Sequence, residues 1–384
     1  MIRDIFDADH DAFRDMVRQF IAKEVTPNLE KWEDDGIVSR ELFVKSAEVG
    51  INGLQIPEEY GGGGMTSYRF NAVVLEEIGY AAASVGGLQI HLNTVLPYFL
   101  SLANPEQRSR WFPGFADGDL VTSLAMTEPG TGSDLAGMAT TAVRDGDDYI
   151  LNGAKTFITG GINADLVVVV VRTSKDSDNR RKGLSLLVVE SGMPGFSRGR
   201  NLDKMGLKAQ DTAELFFENV RVPAANLLGA EGDAFTTLGS NLPQERLTIA
   251  IAAQATAVAA LRMAVDYTRE RKVFGKPVMD FQNTKFVLAD CATDIEAGQA
   301  LVDRAIVCLD NETLTVTDAA KVKLFCTEMQ SRVIDKCLQF HGGYGYMREY
   351  PISRLYTDAR VSRIAGGANE VMRSIISKSL DLAI

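Results

Sequence analysis

The residues that could do chemistry in this chain lie in short segments rich in glycine, hydroxyls and charge. Thr127-Glu-Pro-Gly-Thr-Gly-Ser-Asp134 sets two glycines, two threonines and a serine within eight residues. Glycine lets the backbone approach a polar ligand closely, and hydroxyls can bond it; an ordinary turn has the same composition. Phe157-Ile-Thr-Gly-Gly161 is of the same kind, an aromatic and a hydroxyl before a glycine pair. Arg269-Glu-Arg-Lys-Val-Phe-Gly275 places three basic residues at a helix end, where they suit the dipole and a C-cap, and Gln282 follows after a Pro-containing loop. Gln339-Phe-His-Gly-Gly-Tyr-Gly345 and Gly366-Gly367 interrupt helical texture, as connections do, and could also bring backbone amides close to a ligand. Glu245, in Leu242-Pro-Gln-Glu-Arg-Leu247, taken alone is an acid near a helix start after Pro243, stabilised by the dipole.

Several chemistries are poorly supported. No GxGxxG follows a strand, which disfavours a Rossmann nucleotide site. With three histidines (His10, His91, His341) and no HExxH, Cys/His cluster or Gly-x-Ser-x-Gly, neither zinc hydrolysis nor a Ser–His–Asp triad is indicated. The four cysteines (Cys291, Cys308, Cys326, Cys337) form no CxxC pair and read as buried thiols in a reducing compartment. A net charge of −11 argues against a nucleic-acid surface. The acidic start, MIRDIFDADHDAF, is neither a secretory signal nor a transit peptide, and no integral membrane segment is expected. A cytoplasmic protein is the default.

The elements that must position these segments change texture twice. At 384 residues two or three domains are expected. Phe13, Val17, Phe20, Ile21 and Val25 share a helical face that Pro27 should end, glycines 61–64 mark a loop, and Asn71 to Val85 continues helical. From about Val121 the pattern is strand-like: 149–153 after an Asp-Gly-Asp turn, 165–171, 184–189 and 213–217, with 173–182 as a loop. Strands without intervening helices suggest an antiparallel sheet or small barrel. After Gly232 helical texture returns, and Leu247 to Ala264 is apolar nearly all round, as in a helix inside a bundle. The expected class is α+β multidomain, with an N-terminal helical domain (1–120), a middle antiparallel β domain (121–230) and a C-terminal helical domain (231–384).

Together IPEEYGG (56–62), TEPGTGSD, NGAKTFIT (152–159), RERKVFGK (269–276) and QFHGGYGYMREYP (339–351) resemble the acyl-CoA dehydrogenase family in order and over essentially the whole chain. The resemblance implies a C-terminal four-helix bundle, FAD as cofactor, an acyl-CoA substrate, an electron-transferring flavoprotein as acceptor and a homotetramer. It implies that Leu124, Met126, Thr127, Gly132 and Ser133 line the flavin. Thr127 would bond the pyrimidine side, and Ser133 would also lie near the thioester. Phe157, where the family often has Trp, would pack on the flavin face beside Ile158, and Thr159 would donate to N5, the atom that receives hydride. Arg271, Phe274, Gln282, Gln339, Phe340, Gly342 and Gly343 would hold the dinucleotide of an adjacent subunit, a guanidinium suiting pyrophosphate. Ala368, Asn369 and Glu370 would complete the pocket.

At the catalytic base the chain departs from the family's commonest pattern. Where most members carry Glu, as in YEGTSE, Ile364-Ala-Gly-Gly-Ala-Asn-Glu370 has Gly366. The long-chain and isovaleryl branches use a Glu on the helix that opens the C-terminal domain, and Leu242-Pro-Gln-Glu-Arg-Leu247 resembles the long-chain version. Glu245 is therefore the implied base, and the Gly366 amide the implied donor to the thioester oxygen. A carboxylate must face the substrate opposite the flavin to remove the α proton, and enclosure should raise its pKa toward roughly 6–7. Leu242, Arg246, Ala365 and Gly367 would contact substrate. Ala365 and Ala368 stand where Tyr and Thr are common, which suggests medium-to-long or bulky acyl chains. An acyl-CoA oxidase-like flavoenzyme and a catalytically silent acyl-CoA- or FAD-binding subunit are the competing readings.

Overall fold

The computed structural model describes residues 3–174 and 179–381. The first helix, Ala8–Phe20, starts on a capping box in which Asp7 accepts the amides of Asp9 and His10. Its apolar run does not end at Pro27. A π-turn (Ile21–Val25) and a 3₁₀ turn (Thr26–Asn28) carry the chain into Leu29–Asp35. Proline lies in the first positions of the 3₁₀ turn, where its missing N–H leaves no bond unmade. The expected 71–85 helix is Tyr68–Tyr80; beyond it Ala82 adopts φ 51°. Short helices at Leu96–Leu102 and Pro105–Ala116 complete the first unit.

The middle unit is an eight-stranded sheet of β1 (Thr122–Ala125), β2 (Thr141–Asp145), β3 (Asp148–Thr159), β4 (Leu166–Arg172), β5 (Leu184–Glu190), β6 (Phe196–Asn201), β7 (Thr212–Pro223) and β8 (Leu227–Leu228). Its order is β6-β7-β3-β2-β4-β5-β8, with β1 beside β4. Pairing is antiparallel except where β1 and β2 run parallel to β4. The unbroken valines of β4 follow from burial on both faces. Val168 and Val170 join the core of the first unit, whereas Val167, Val169 and Val171 pack in the second layer with Leu187 and Leu215. Part of the 173–182 loop lies outside the described residues.

The last unit contains three long helices, Ala234–Glu270, Gln282–Asp310 and Val316–His341, with Asn369–Ser379 packed on the third. Contrary to expectation, Ala234–Glu270 is long and apolar enough to cross a membrane by length and composition, with mean hydropathy 1.6 over its most apolar window. Half of that window is buried inside the protein, which accounts for its composition: a helix enclosed by several neighbours reads apolar all round. Its alanines allow close approach, and a Cβ on Gly79 of the Tyr68–Tyr80 helix would lie 2.5 Å from the Ala255 methyl.

Candidate active site

Glu245 lies three turns into Ala234–Glu270 and is only 7% exposed. The Tyr98 hydroxyl, from Leu96–Leu102 in the first unit, donates to Glu245 Oε1 at 2.8 Å. Burial pushes the Glu245 carboxyl up to about 7, against the opposing pull of the Tyr98 bond and the Arg246 charge. Two more bonds tie this stretch to the first unit: Gln244 Nε2 donates to the Asn93 carbonyl, and Tyr68 Oη meets Thr248 Oγ1 at 2.6 Å.

The 364–368 turn closes over the same stretch of helix. Gly366 and Gly367 adopt φ 64° and 91°, the left-handed region that glycine enters without strain. Arg246 Nε donates to the Gly366 carbonyl at 3.4 Å, and Lys323 Nζ donates to the Gly367 carbonyl at 3.0 Å and Asn369 Oδ1 at 2.8 Å. Lys323 is fully buried, and burial pulls its amine down to about 8. A Cβ on Gly366 would sit 2.5 Å from Ile249 Cδ1, one helical turn beyond Glu245. The place where a side chain is missing and the buried carboxylate thus border one face of one helix.

Glu245, Arg246, Gly366 and Gly367 therefore come together, with Leu242 a turn earlier on the helix and Ala365 and Ala368 flanking the glycines. The polar atoms of Asn369 are engaged within the chain, with Lys323, Thr327 and Glu328. Glu370 is 82% exposed beside Arg373, away from this pocket. Lys323 escaped the sequence reading because a lysine in a helix is ordinarily solvated, and only burial distinguishes it.

The glycine- and hydroxyl-rich segment is a tied loop at the end of β1. Reciprocal backbone bonds join Glu128 and Thr131, and the Thr156 amide donates to the Thr127 carbonyl. Beneath it, fully buried Lys155 donates to Glu128 Oε1 at 2.9 Å and to the Met126 carbonyl, while Glu128 also accepts the Ala139 and Thr140 amides. Burial lowers the Lys155 amine to about 8, and the Glu128 carboxyl stays low because lysine and amides offset its burial, so the pair is charged at neutral pH. Both residues stand inside the conspicuous motifs, yet their pairing joins this loop to a β3 residue 27 positions away, which neither motif shows.

Above this base the surface is open. Cβ atoms on Gly130 and Gly132 would meet nothing within 4 Å, and Ser133 is exposed. Phe157 is 68% exposed at φ 59°, where the β3–β7 register shifts between Lys155 and Ile158. The bulge turns its ring outward, while Ile158 and Leu124 are buried in the sheet. Ser123 Oγ holds the Thr159 carbonyl at 2.7 Å, and Gln210 Nε2 donates to Thr159 Oγ1 at 3.1 Å. A half-buried Met126 edges the loop.

A second cleft lies at the far end of Ala234–Glu270, where Arg271, Phe340, Gly342 and Gly343 line one groove with Tyr267 and Tyr344. Gln339 precedes it on the last turn of Val316–His341. Phe274, 96% exposed, and Gln282, at the start of its helix, are not part of the groove wall. At 1.5 Å per residue, Arg271 is roughly 39 Å from Glu245 along the helix. His341, which also lines the groove, stacks on Tyr267 and bonds the Cys337 carbonyl, and His91 is buried against Thr122, its imidazole lowered to about 3. An exposed aromatic platform, hydroxyls, an open glycine loop and a groove with a guanidinium fit a flavin dinucleotide. Among the described residues no His/Cys/Asp/Glu group could hold a metal.

Comparison with known proteins gives the same class. Family models for the N-terminal, middle and C-terminal domains of acyl-CoA dehydrogenases match residues 7–119, 123–220 and 232–380. The chain is 44% identical over 379 residues to the mitochondrial long-chain specific acyl-CoA dehydrogenase of Sus scrofa, covering 99% of this chain and 88% of that protein. The crystal structure of an acyl-CoA dehydrogenase from Geobacillus kaustophilus superposes with a TM-score of 0.97 at 45% identity, covering 99% of this chain and 100% of that one. A glutaryl-CoA dehydrogenase from Mycobacterium smegmatis, solved with FADH2, matches with a TM-score of 0.89 at 29% identity over 98% and 95% of the two chains. The chain belongs to the acyl-CoA dehydrogenase family. It is a flavin-dependent oxidoreductase acting on CH–CH donors, and its cofactor is FAD.

Proposed function

We propose that this chain oxidises the Cα–Cβ bond of medium-to-long fatty acyl-CoA thioesters to trans-2-enoyl-CoA, as in fatty-acid β-oxidation, with Glu245 removing the α proton. The carrying observation is the buried Glu245 carboxyl, held near neutrality beside a glycine turn that lacks a side chain. A base whose pKa lies near the working pH is in the right form and still accepts a proton readily. Bound FAD supplies the acceptor for the hydride that leaves Cβ.

The chain's own residues do the rest. Arg246 and Lys323 hold the carbonyls of Gly366 and Gly367, fixing the turn so that the Gly366 amide can meet the thioester oxygen as charge develops there. Leu242, Ala365 and Gly367 would line the acyl chain beside Glu245. Phe157 would pack against the flavin ring, with Thr127, Ser133 and Thr159 as its polar partners. The Arg271 groove lies roughly 39 Å from Glu245 along the helix, a separation that supports its holding a neighbouring subunit's dinucleotide, together with Phe340, Gly342 and Gly343. We therefore propose a homotetramer of three-domain subunits (1–120, 121–230, 231–384) that passes electrons to an electron-transferring flavoprotein.

The test is anaerobic titration of the purified flavoprotein with saturated acyl-CoAs of increasing length, following flavin absorbance, for wild type and Glu245→Gln. Bleaching by wild type alone, with both proteins holding FAD, is the expected result. Equal bleaching by Glu245→Gln would refute the base. No bleaching of wild type would favour a silent subunit, and stoichiometric peroxide in air an oxidase.

A further inference from the structure

The Glu245 carboxylate is held from another domain at one of its two oxygens. Tyr98 is fully buried in the core of the first unit, where Leu96 and Phe99 on the same short helix are also buried, so its ring has little freedom. Its hydroxyl reaches Glu245 Oε1 at 2.8 Å. The flanking contacts of Gln244 with Asn93 and of Thr248 with Tyr68 fix the helix around it. Among the hydrogen bonds of the described residues, the Tyr98 bond is the only one made by the Glu245 carboxylate, and Oε2 makes none.

We propose that Tyr98 is the positioning residue for the base: by holding Oε1 it presents Oε2 as the atom that receives the α proton. The inference rests on the reading of Glu245 as base. In the step, the Cα–H bond breaks and an Oε2–H bond forms. The released pair enters the forming Cα=Cβ bond as hydride leaves Cβ for FAD. A phenol that donates to Oε1 stabilises the carboxylate more than the neutral acid, so it also keeps Glu245 ionised at a lower pH than burial alone would allow.

The other charged group at this carboxyl is Arg246 on the same helix, with Lys323 of Val316–His341 beyond it. The glycine turn that covers the site brings no titratable side chain. Burial, and then the Glu245 charge, push the Tyr98 phenol well above its ordinary range, so it remains a neutral donor wherever Glu245 titrates. Neither cation hydrogen-bonds the Glu245 carboxylate, which leaves Tyr98 as the group that sets its orientation.

The experiment compares wild type, Tyr98→Phe and Glu245→Gln as FAD-loaded proteins, following the rate of flavin bleaching by octanoyl- to palmitoyl-CoA across pH. Tyr98→Phe should keep its flavin and bleach more slowly at neutral pH, with the acid limb of the profile displaced upward by about one pH unit, the effect of losing a hydrogen bond to a charged group. Fluorotyrosine at position 98 keeps the ring and strengthens the donor, and should move the limb the other way. An unmoved limb in both proteins, with Glu245→Gln inert, would overturn the role of Tyr98 and leave the base standing. Normal bleaching by Glu245→Gln, or none by wild type, would overturn both.

Discussion

Replacing Glu245 by Gln should make the protein more stable, and the gain should depend on pH in a way that follows from its burial. The carboxyl is 7% exposed, and burial moves it from 4.5 to about 7. Between those values the native state binds more protons at this site than the unfolded chain does. Stability from this group therefore falls as pH rises through the window, and the whole cost is present above about pH 7. A displacement of that size corresponds to roughly 3 kcal/mol for holding the ionised form in the fold. The Gln amide has no charge to bury, and its oxygen can still accept the Tyr98 hydroxyl. Urea unfolding followed by circular dichroism, at about pH 5 and pH 8, should give a mutant advantage that is small in acid and larger in base. A gap that does not change between the two pH values would show that Glu245 is not buried as an ionised group, and would remove the argument for its raised pKa.

Three further substitutions probe the cofactor side and the glycine turn. Lys155→Met leaves Glu128 buried without its cation and should cost about 3 kcal/mol, partly recovered by adding Glu128→Gln; FAD content after gel filtration should fall with the single change, since the pair underlies the 127–134 loop. Phe157→Ala removes an exposed ring, so the apoprotein should unfold within about 0.5 kcal/mol of wild type, while FAD binding by fluorescence titration should weaken roughly fivefold with loss of the aromatic platform. Gly366→Ala must hold a non-glycine residue at φ 64° and displace Ile249, which should cost about 1–2 kcal/mol in unfolding assays; its flavin reduction should slow because the turn shifts.

Much of the architecture was legible because each unit has a strong local period. The valine run of β4 declared a strand and the apolar stretch after Leu247 an enclosed helix; that the strand is covered on both faces appeared only in the packing. What could not be read locally were pairings across the chain. Ser197-Arg-Gly-Arg200 shows no apolar alternation, so β6 was invisible until β7 paired with it. The turn at Pro27 misled because proline is excluded only where an N–H is needed, and the 3₁₀ turn needs none there. Lys155 with Glu128, Lys323 with the Gly367 carbonyl, and Tyr98 with Glu245 each join residues at least 27 positions apart. Their local sequence is that of ordinary lysines and a core tyrosine.

Those long-range pairings bear on how a carboxylate on the 234–270 helix would serve as the proposed base where the 366 turn has none. A Cβ at Gly366 would touch Ile249, four residues after Glu245 and therefore on the same helical face. A side chain grown from the turn would thus meet the helical face that carries Glu245. A second carboxylate there would crowd that face with two like charges, whereas glycine leaves Glu245 free to ionise near neutral pH. With the carboxylate on the helix, its orientation can be set by the first unit through Tyr98. The turn then needs only its backbone, held from behind by Arg246 and Lys323. On this reading base and amide donor reach the substrate from separately braced elements, so a change at Gly366 should disturb thioester polarisation more than proton removal. Glu245→Gln should do the reverse: substrate should bind with its thioester polarised, and the α proton should stay in place.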